Sequence, residues 1–307
     1  MPAAITLDRV SKRYGTTVAV RELSLSVGVG EMFGLIGPDG AGKTTTIRLI
    51  CGLLRADGGT ARVLGLDPRR DHRRLTASVG YLSQRFSLYG DLSVDENIAF
   101  FAEIHGLRAY RARRERLLDL TQLAPFRTRL ADRLSGGMKQ KLALACTLVH
   151  EPALIVLDEP TTGVDPVSRR EFWKLLAEFL SQGITIVMAT PYLDEAERCA
   201  RVALLHEGRL LALDTPDALR AGLTGTLYEA IVTDHRRAPE ILRRIDGVTD
   251  VQMLGERAHV RMDRADAGAA DLLAARLAAA GLFVTSVRPV STSLEDVFIA
   301  RLHEARS

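Results

Sequence analysis

Residues 37–44 are Gly37, Pro38, Asp39, Gly40, Ala41, Gly42, Lys43 and Thr44. They fit G-x-x-x-x-G-K-[ST], the spacing of a loop that cradles phosphates, with Thr45 following directly. Glycines let the backbone wrap an anion and turn its N–H groups inward. A helix opening at the end of this loop would add positive potential at the same point. Lys43 would reach the outer phosphates of a nucleoside triphosphate, and the Thr44 hydroxyl would bind magnesium. A plain glycine turn before a helix is the bland alternative. Lys43 and Thr44, with a strand expected before and a helix after, weigh against it.

Residues 153–159 read Ala-Leu-Ile-Val-Leu-Asp-Glu, an apolar run ending in two acids. Asp158 can hold magnesium, directly or through water, and Glu159 can polarise an attacking water. Taken alone, such a run could be any strand entering a turn; beside a phosphate loop it gains meaning. Residues 134–140 read Leu-Ser-Gly-Gly-Met-Lys-Gln. A Ser135-Gly136-Gly137 turn opening a helix offers a hydroxyl and backbone N–H groups to an anion.

These groups need elements to hold them. Residues 5–27 alternate apolar and polar, which predicts short antiparallel strands. Met32–Ile36 is a short apolar run ending in glycine, as expected for a buried strand entering the phosphate loop. Helical spacing follows over 44–54, with strand-like pieces at 61–64 and Val79–Leu82. Ser93 and Glu96 form a capping box before a mainly helical stretch to about 150. Residues 153–157 and 184–189 read as parallel strands between helices, and 201–213 as a hairpin turning at Glu207-Gly208. The character changes near residue 218. Strand patterns at 226–233, 248–254, 257–262 and 282–288 surround helical ones at 238–246 and 268–280, with a last helix from Ser293. That order, β-α-β-β-α-β, suggests a small ferredoxin-like module. The expected division is therefore a nucleotide-binding domain over 1–218 and an accessory domain over 219–307.

The chain has 307 residues, 47% hydrophobic and 26% charged, which excludes a disordered chain. A net charge of +3 is too small to argue for nucleic acid. The arginine-dense stretch 108–116 reads as the solvated face of a helix. Three scattered cysteines, Cys51, Cys146 and Cys199, form no zinc or disulfide pattern and fit a reducing compartment. No apolar stretch suits a signal peptide or a membrane span, so any membrane-spanning part is expected on another chain.

With these motifs in order, the sequence resembles the nucleotide-binding subunits of ATP-binding cassette (ABC) transporters over roughly residues 4–215. GPDGAGKTT is similar to their Walker A motif, LIVLDEP to Walker B and LSGGMKQ to the signature, with Ser135, Gly136, Gly137 and Gln140. Gln84, in YLSQ, resembles the Q-loop glutamine, which ligates magnesium and senses the γ-phosphate and the membrane partner. Asp165, in TTGVDP, resembles the D-loop aspartate, and Tyr14 the aromatic that stacks on adenine. RFSLYGDLSVDENIAFFAEIHG and the tail STSLEDVFI resemble type-2 exporter ATPases of the daunorubicin-resistance kind.

The resemblance implies an α/β fold: a P-loop NTPase of ABC type, with a mostly parallel core sheet, an antiparallel β subdomain and a helical subdomain, plus the small C-terminal α+β module. It implies ATP and Mg2+ as ligands and ATP hydrolysis coupled to export through a separate polytopic permease. It implies pairing with a second nucleotide-binding domain, head to tail, and a cytoplasmic location against the inner face of the cell membrane. Two residues depart from the pattern. Asp39 stands where the family has Asn, adding negative charge. Pro191 stands where the family has the histidine that contacts the γ-phosphate, and proline offers neither a side-chain donor nor an N–H. His206 lies well downstream, in the expected hairpin. A non-hydrolysing regulatory subunit is therefore kept as an alternative. A soluble ABC ATPase of translation or DNA repair is also kept, although this chain has neither two cassettes nor a coiled-coil insertion.

Overall fold

The structure is a computed structural model and describes residues 3–84, 88–234, 236–263 and 268–306. Arg85, Phe86 and Ser87, which open the exporter-like stretch after Gln84, lie outside the described residues. The chain divides into two compact units, residues 1–215 and 216–307.

The first unit is built on two sheets. The strands β1 (Ala3–Tyr14) and β2 (Thr17–Gly28) are each 12 residues long, longer than the short strands expected. They pair antiparallel with each other, and β1 also with a later strand, β4 (Gly58–Val63), giving the order β2-β1-β4. The second sheet has six strands. These are β3 (Met32–Ile36), β5 (Val79–Leu82), β6 (Leu154–Asp158), β7 (Thr185–Thr190), β8 (Arg201–His206) and β9 (Arg209–Asp214). Their order is β5-β6-β7-β3-β8-β9; all pairs are parallel except the β8–β9 hairpin. Every residue of β3, β6 and β7 is buried. That explains why they read as mainly apolar runs: a parallel sheet is covered on both faces.

Among the described residues, seven α-helices belong to this unit: α1 (Lys43–Ile50), α2 (His72–Thr76), α3 (Val94–Ile104), α4 (Arg111–Thr121), α5 (Gly136–Leu148), α6 (Pro166–Ser181) and α7 (Leu193–Ala196). One core joins Ile5 and Leu23 of the antiparallel sheet, Phe33 and Val156 of the parallel sheet, and Ile47 and Ile50 of α1. The phosphate loop is thus clamped between two sheets. The Ser93–Glu96 capping box forms as the sequence predicts, with Ser93 N donating to Glu96 Oε2 at 2.7 Å. The arginine run is largely solvated, with Arg108, Arg111 and Arg116 exposed and Arg114 turned partly inward. Arg114 lies 3.7 Å from Asp95, and Arg127 bonds both Asp95 and Glu115, tying α4 to the start of α3.

The second unit contains α8 (Pro216–Ala221), β10 (Thr226–Val232), α9 (Ala238–Leu242), β11 (Val248–Leu254), β12 (Arg257–Met262), α10 (Ala269–Ala279), β13 (Val284–Val290) and α11 (Leu294–Arg306). Its sheet order is β11-β12-β10-β13, antiparallel throughout. One face packs Tyr228, Val260 and Met262 against Leu242, Leu273 and Leu277. Cross-strand neighbours of Glu229 are His259 and Arg288. Arg288 donates to Glu229 at 2.9 Å, and His259 Nδ1 meets Asp296 of α11 at 2.7 Å.

Candidate nucleotide site

Lys43 opens α1 directly behind β3, so the loop from Gly37 to Gly42 crosses the end of the parallel sheet. Two glycines are required there by geometry. A Cβ on Gly37 would lie 2.2 Å from the Leu205 carbonyl oxygen; one on Gly42 would lie 2.4 Å from that of Ala19. Gly42 also has φ +97°, a conformation that costs an L side chain energy. The start of α1 turns its first N–H groups toward the loop, where an anion would satisfy them.

Lys43 is buried, and its Nζ donates to the carbonyls of Gly37 at 2.8 Å and Pro38 at 3.1 Å. It also lies 3.5 Å from Glu159. The Thr44 hydroxyl donates to Asp158 Oδ1 at 3.0 Å, bringing together residues far apart in sequence. Asp158 ends β6 and is 1% exposed. Burial pushes its carboxyl above the usual carboxylate range; the Thr44 hydrogen bond opposes that shift, and neighbouring Glu159 adds to it. A buried acid that gains from a nearby cation, paired with a hydroxyl, suits a hard divalent metal such as Mg2+.

Glu159 adopts φ +51°, unusual for a side chain that is not glycine, and its N–H donates to the Ala189 carbonyl at 2.9 Å. That turn aims the carboxylate back at Lys43. Gln84 Nε2 donates to Glu159 Oε2 at 2.9 Å, which leaves the amide oxygen of Gln84 as a further metal donor. Lys43, Thr44, Gln84 and Glu159 border a cavity of about 480 Å³, lined also by Tyr14, Val18, Ala19, Asp39 and Thr45, with Asp158 buried behind Thr44. Tyr14 stands at its mouth, 46% exposed, with Lys12 over its ring at 5.8 Å. Asp39 is exposed on the same rim.

Ser135, Gly136, Gly137, Gln140 and Asp165 do not line this cavity. Ser135 caps α5, its hydroxyl accepting from Met138 N at 3.3 Å. Asp165 caps α6, accepting from Val167 N at 3.1 Å and Ser168 N at 2.9 Å. Pro191 follows β7, and Tyr192 N donates to Thr190 Oγ1 at 3.1 Å across it. His206 ends β8, in the hairpin.

The sequence reading missed three participants. Tyr81 places its hydroxyl 3.5 Å from Asp158; burial and that carboxylate push its phenol up to about 12, so it stays a donor. The Thr162 hydroxyl lies 3.5 Å from Glu159. Glu195 is buried and accepts from the hydroxyl of Thr190, the residue before Pro191. Tyr81 and Thr162 belong to residue types common in strands and turns, and nothing in their spacing marks them.

A family model described as ABC transporter matches residues 20–162. The chain is 35% identical to daunorubicin resistance ATP-binding protein DrrA2 of Streptomyces coeruleorubidus, over 96% of this chain and 94% of that protein. The chain belongs to the ABC transporter ATP-binding family. This ABC chain is also 45% identical to the probable multidrug ABC transporter ATP-binding protein YbhF of Escherichia coli (strain K12), over 79% of its own length but only 42% of YbhF's. It is 42% identical to Nod factor export ATP-binding protein I of Paraburkholderia xenovorans (strain LB400), over 73% and 74% of the two chains. Among solved structures, cbiO1 from Clostridium perfringens, part of the ABC transporter complex cbiONQ, superposes with TM-score 0.67 at 28% identity, covering 72% of this chain and 92% of that one. The ATP-binding cassette MJ0796, solved as a dimer in a post-hydrolysis state with ADP and Pi, gives TM-score 0.62 at 26% identity, over 69% and 98%. No helix among the described residues of this ABC chain is long and apolar enough to cross a membrane.

Proposed function

We propose that this chain is the ATP-binding and ATP-hydrolysing subunit of an exporter whose membrane-spanning part is a separate polytopic permease. The observation that carries the reading is the cluster at the phosphate loop. Thr44 and Asp158 lie 3.0 Å apart, and Glu159 sits between Lys43 at 3.5 Å and Gln84 at 2.9 Å. ATP would lay its phosphates on the loop from residue 37 to 45 and its base against Tyr14. Thr44, Asp158 and Gln84 are the residues that would hold Mg2+, which when bound spreads the charge of the β- and γ-phosphates. Glu159 would take the proton of the attacking water, and Lys43 would stabilise the charge on the transferred phosphoryl group.

The signature residues Ser135, Gly136, Gly137 and Gln140, with Asp165, lie away from this chain's own cavity, which supports a role in completing the site of a second nucleotide-binding domain. The exporter assignment is supported by the names of relatives: multidrug, daunorubicin resistance and Nod factor export. Such a chain would sit at the cytoplasmic face of the membrane, held by its permease.

Pro191 favours one variant of this reading. With no donor at that position, hydrolysis on this chain's own site would be slowed by ~10²–10³, the usual cost of one missing transition-state contact. A paired cassette with a complete histidine could still hydrolyse ATP against Ser135. Purification with the membrane partner, followed by ATPase assays with and without candidate substrates, tests the proposal. Substrate-stimulated hydrolysis supports it; nucleotide binding without turnover in any assembly would favour a regulatory subunit.

A further inference from the structure

We infer that Glu195 is a positioning residue for hydrolysis, tying the segment that carries Pro191 to the loop that follows Glu159. The inference rests on the hydrolytic reading above and names a group that reading does not use.

Glu195 lies on the single turn α7 and is 1% exposed. Its Oε1 accepts the hydroxyl of Thr161, and its Oε2 accepts that of Thr190 at 2.7 Å. Both threonines are buried. Thr161 stands two residues beyond Glu159, and Thr190 directly precedes Pro191. The Thr190 oxygen also accepts from Tyr192 N, so the turn around Pro191 is fixed on both sides. Arg169 of α6 completes the cluster. Its Nε lies 4.0 Å from Glu195 Oε1 and makes no hydrogen bond of its own, and its guanidinium stands over the Tyr192 ring at 5.1 Å. Since Asp165 caps α6, one carboxylate links three segments: the turn after Walker B, the end of β7, and the helix after the D-loop.

A buried carboxylate is costly unless hydrogen-bonded and paired, and this one receives two hydroxyls with a guanidinium nearby. A role in stability alone would need no particular pair of loops. Here the two bonds span the segments whose relative position decides where Glu159 points. Glu159 holds a left-handed backbone conformation and is itself bonded to Ala189. Pro191 has no side-chain donor with which to fix its own place, so the register of its loop depends on Thr190 and Glu195. Misplacing a reacting group by ~1 Å can cost ~10² in rate. Lys43, Gly42 and Tyr14 lie outside the cluster, so nucleotide affinity is expected to survive its loss.

The test uses the full chain with Glu195→Asp, Glu195→Gln, Thr161→Val and Thr161→Ser. ATP hydrolysis and binding of a fluorescent ATP analogue are both measured. Asp is one methylene too short to reach both hydroxyls. Gln keeps the length and can accept from one threonine while donating to the other, so it preserves the fold. The expected result is a fall in kcat of ~10–100-fold for Glu195→Asp and Thr161→Val, with affinity for the analogue within about twofold of wild type. Thr161→Ser restores the rate, and Glu195→Gln loses less than Glu195→Asp. Unchanged kcat in both Glu195→Asp and Thr161→Val overturns the inference. So does a loss of affinity in proportion to kcat, which marks a purely structural role. A wild type that binds the analogue but hydrolyses nothing, alone or with its permease, overturns the hydrolytic reading first and this inference with it.

Discussion

Adding one methyl group to either glycine of the signature separates helix propensity from packing. A Cβ on Gly137 would lie 2.2 Å from Ser168 Oγ and 2.4 Å from Ser168 Cβ, while one on Gly136 meets nothing within 4 Å. Replacing glycine by alanine in a helix gains up to ~1 kcal/mol. At Gly136 that gain stands alone. At Gly137 it is opposed by overpacking of ~1–3 kcal/mol. The Ser168 backbone is not free to retreat, because its N–H donates at 2.9 Å to Asp165, the cap of α6. The expected outcome is Gly136→Ala neutral or slightly stabilising and Gly137→Ala destabilising by ~1–2 kcal/mol, a fall in Tm of roughly 2–8 °C for a unit of this size. Ser168→Gly removes both clashing atoms, so the double variant should be no less stable than Ser168→Gly alone, to within ~0.5 kcal/mol. Urea unfolding followed by Trp173 reads this directly, since it is the chain's single tryptophan, lies on α6 and is buried. Equal stability of the two alanine variants, or no coupling to Ser168, would refute the contact between the starts of α5 and α6.

Three further outcomes are expected. Asp158→Asn should stabilise the magnesium-free chain at pH 8. Burial raises the Asp158 pKa, so its contribution favours the fold at low pH and is lost as pH rises through the folded value. The gain in Tm should shrink toward pH 4, and magnesium should no longer strengthen nucleotide binding; a loss of stability at pH 8 counts against this. Tyr14→Ala should weaken ATP binding by ~1–3 kcal/mol, the usual worth of base stacking on an aromatic ring, while Tyr14→Trp retains it; isothermal titration checks both. In the second unit, the Asp296 hydrogen bond raises the His259 pKa; burial pushes the Asp296 carboxyl up, but the His259 and Ser293 hydrogen bonds outweigh it and hold that carboxyl low. The pair therefore stabilises above the ordinary Asp value of 3.8 and below the ordinary His value of 6.5, and its contribution fades as pH rises through the folded His259 pKa. His259→Ala should cost ~1.5–3 kcal/mol in amide exchange protection of β10 and β12 at pH 5.5, and less at pH 8.5; equal losses at both would contradict the ion pair.

The phosphate loop, Asp158 and Glu159 were legible because their chemistry demands particular residue types within a few positions of one another. The buried strands β3, β6 and β7 were legible because burial on both faces favours apolar residues along most of their length. What stayed hidden depends on contacts between distant segments. Tyr81 reads as an ordinary strand residue until β5 pairs with β6 and brings it to Asp158. Glu195 sits in an acidic, surface-like stretch, yet the end of β7 and the turn after Walker B close over it. The short helices α2, α7 and α8 are too brief to show a 3.6-residue period. Arg114 looked solvated because its partner, Asp95, lies on another helix. Asn97 gave no sign that its side-chain amide would donate to the carbonyls of Tyr89, Leu92 and Ser93 and hold the segment before α3.

The groups gathered on the phosphate loop are proposed to bind and hydrolyse ATP. Phosphate release from Mg-ATP by the wild-type chain and by Glu159→Gln, with nucleotide affinity measured on both, tests it most directly. The expected result is similar affinities, measurable turnover by the wild type, a rise in that rate with Pro191→His, and loss of at least ~10² in Glu159→Gln. Equal phosphate release by wild type and Glu159→Gln would contradict it.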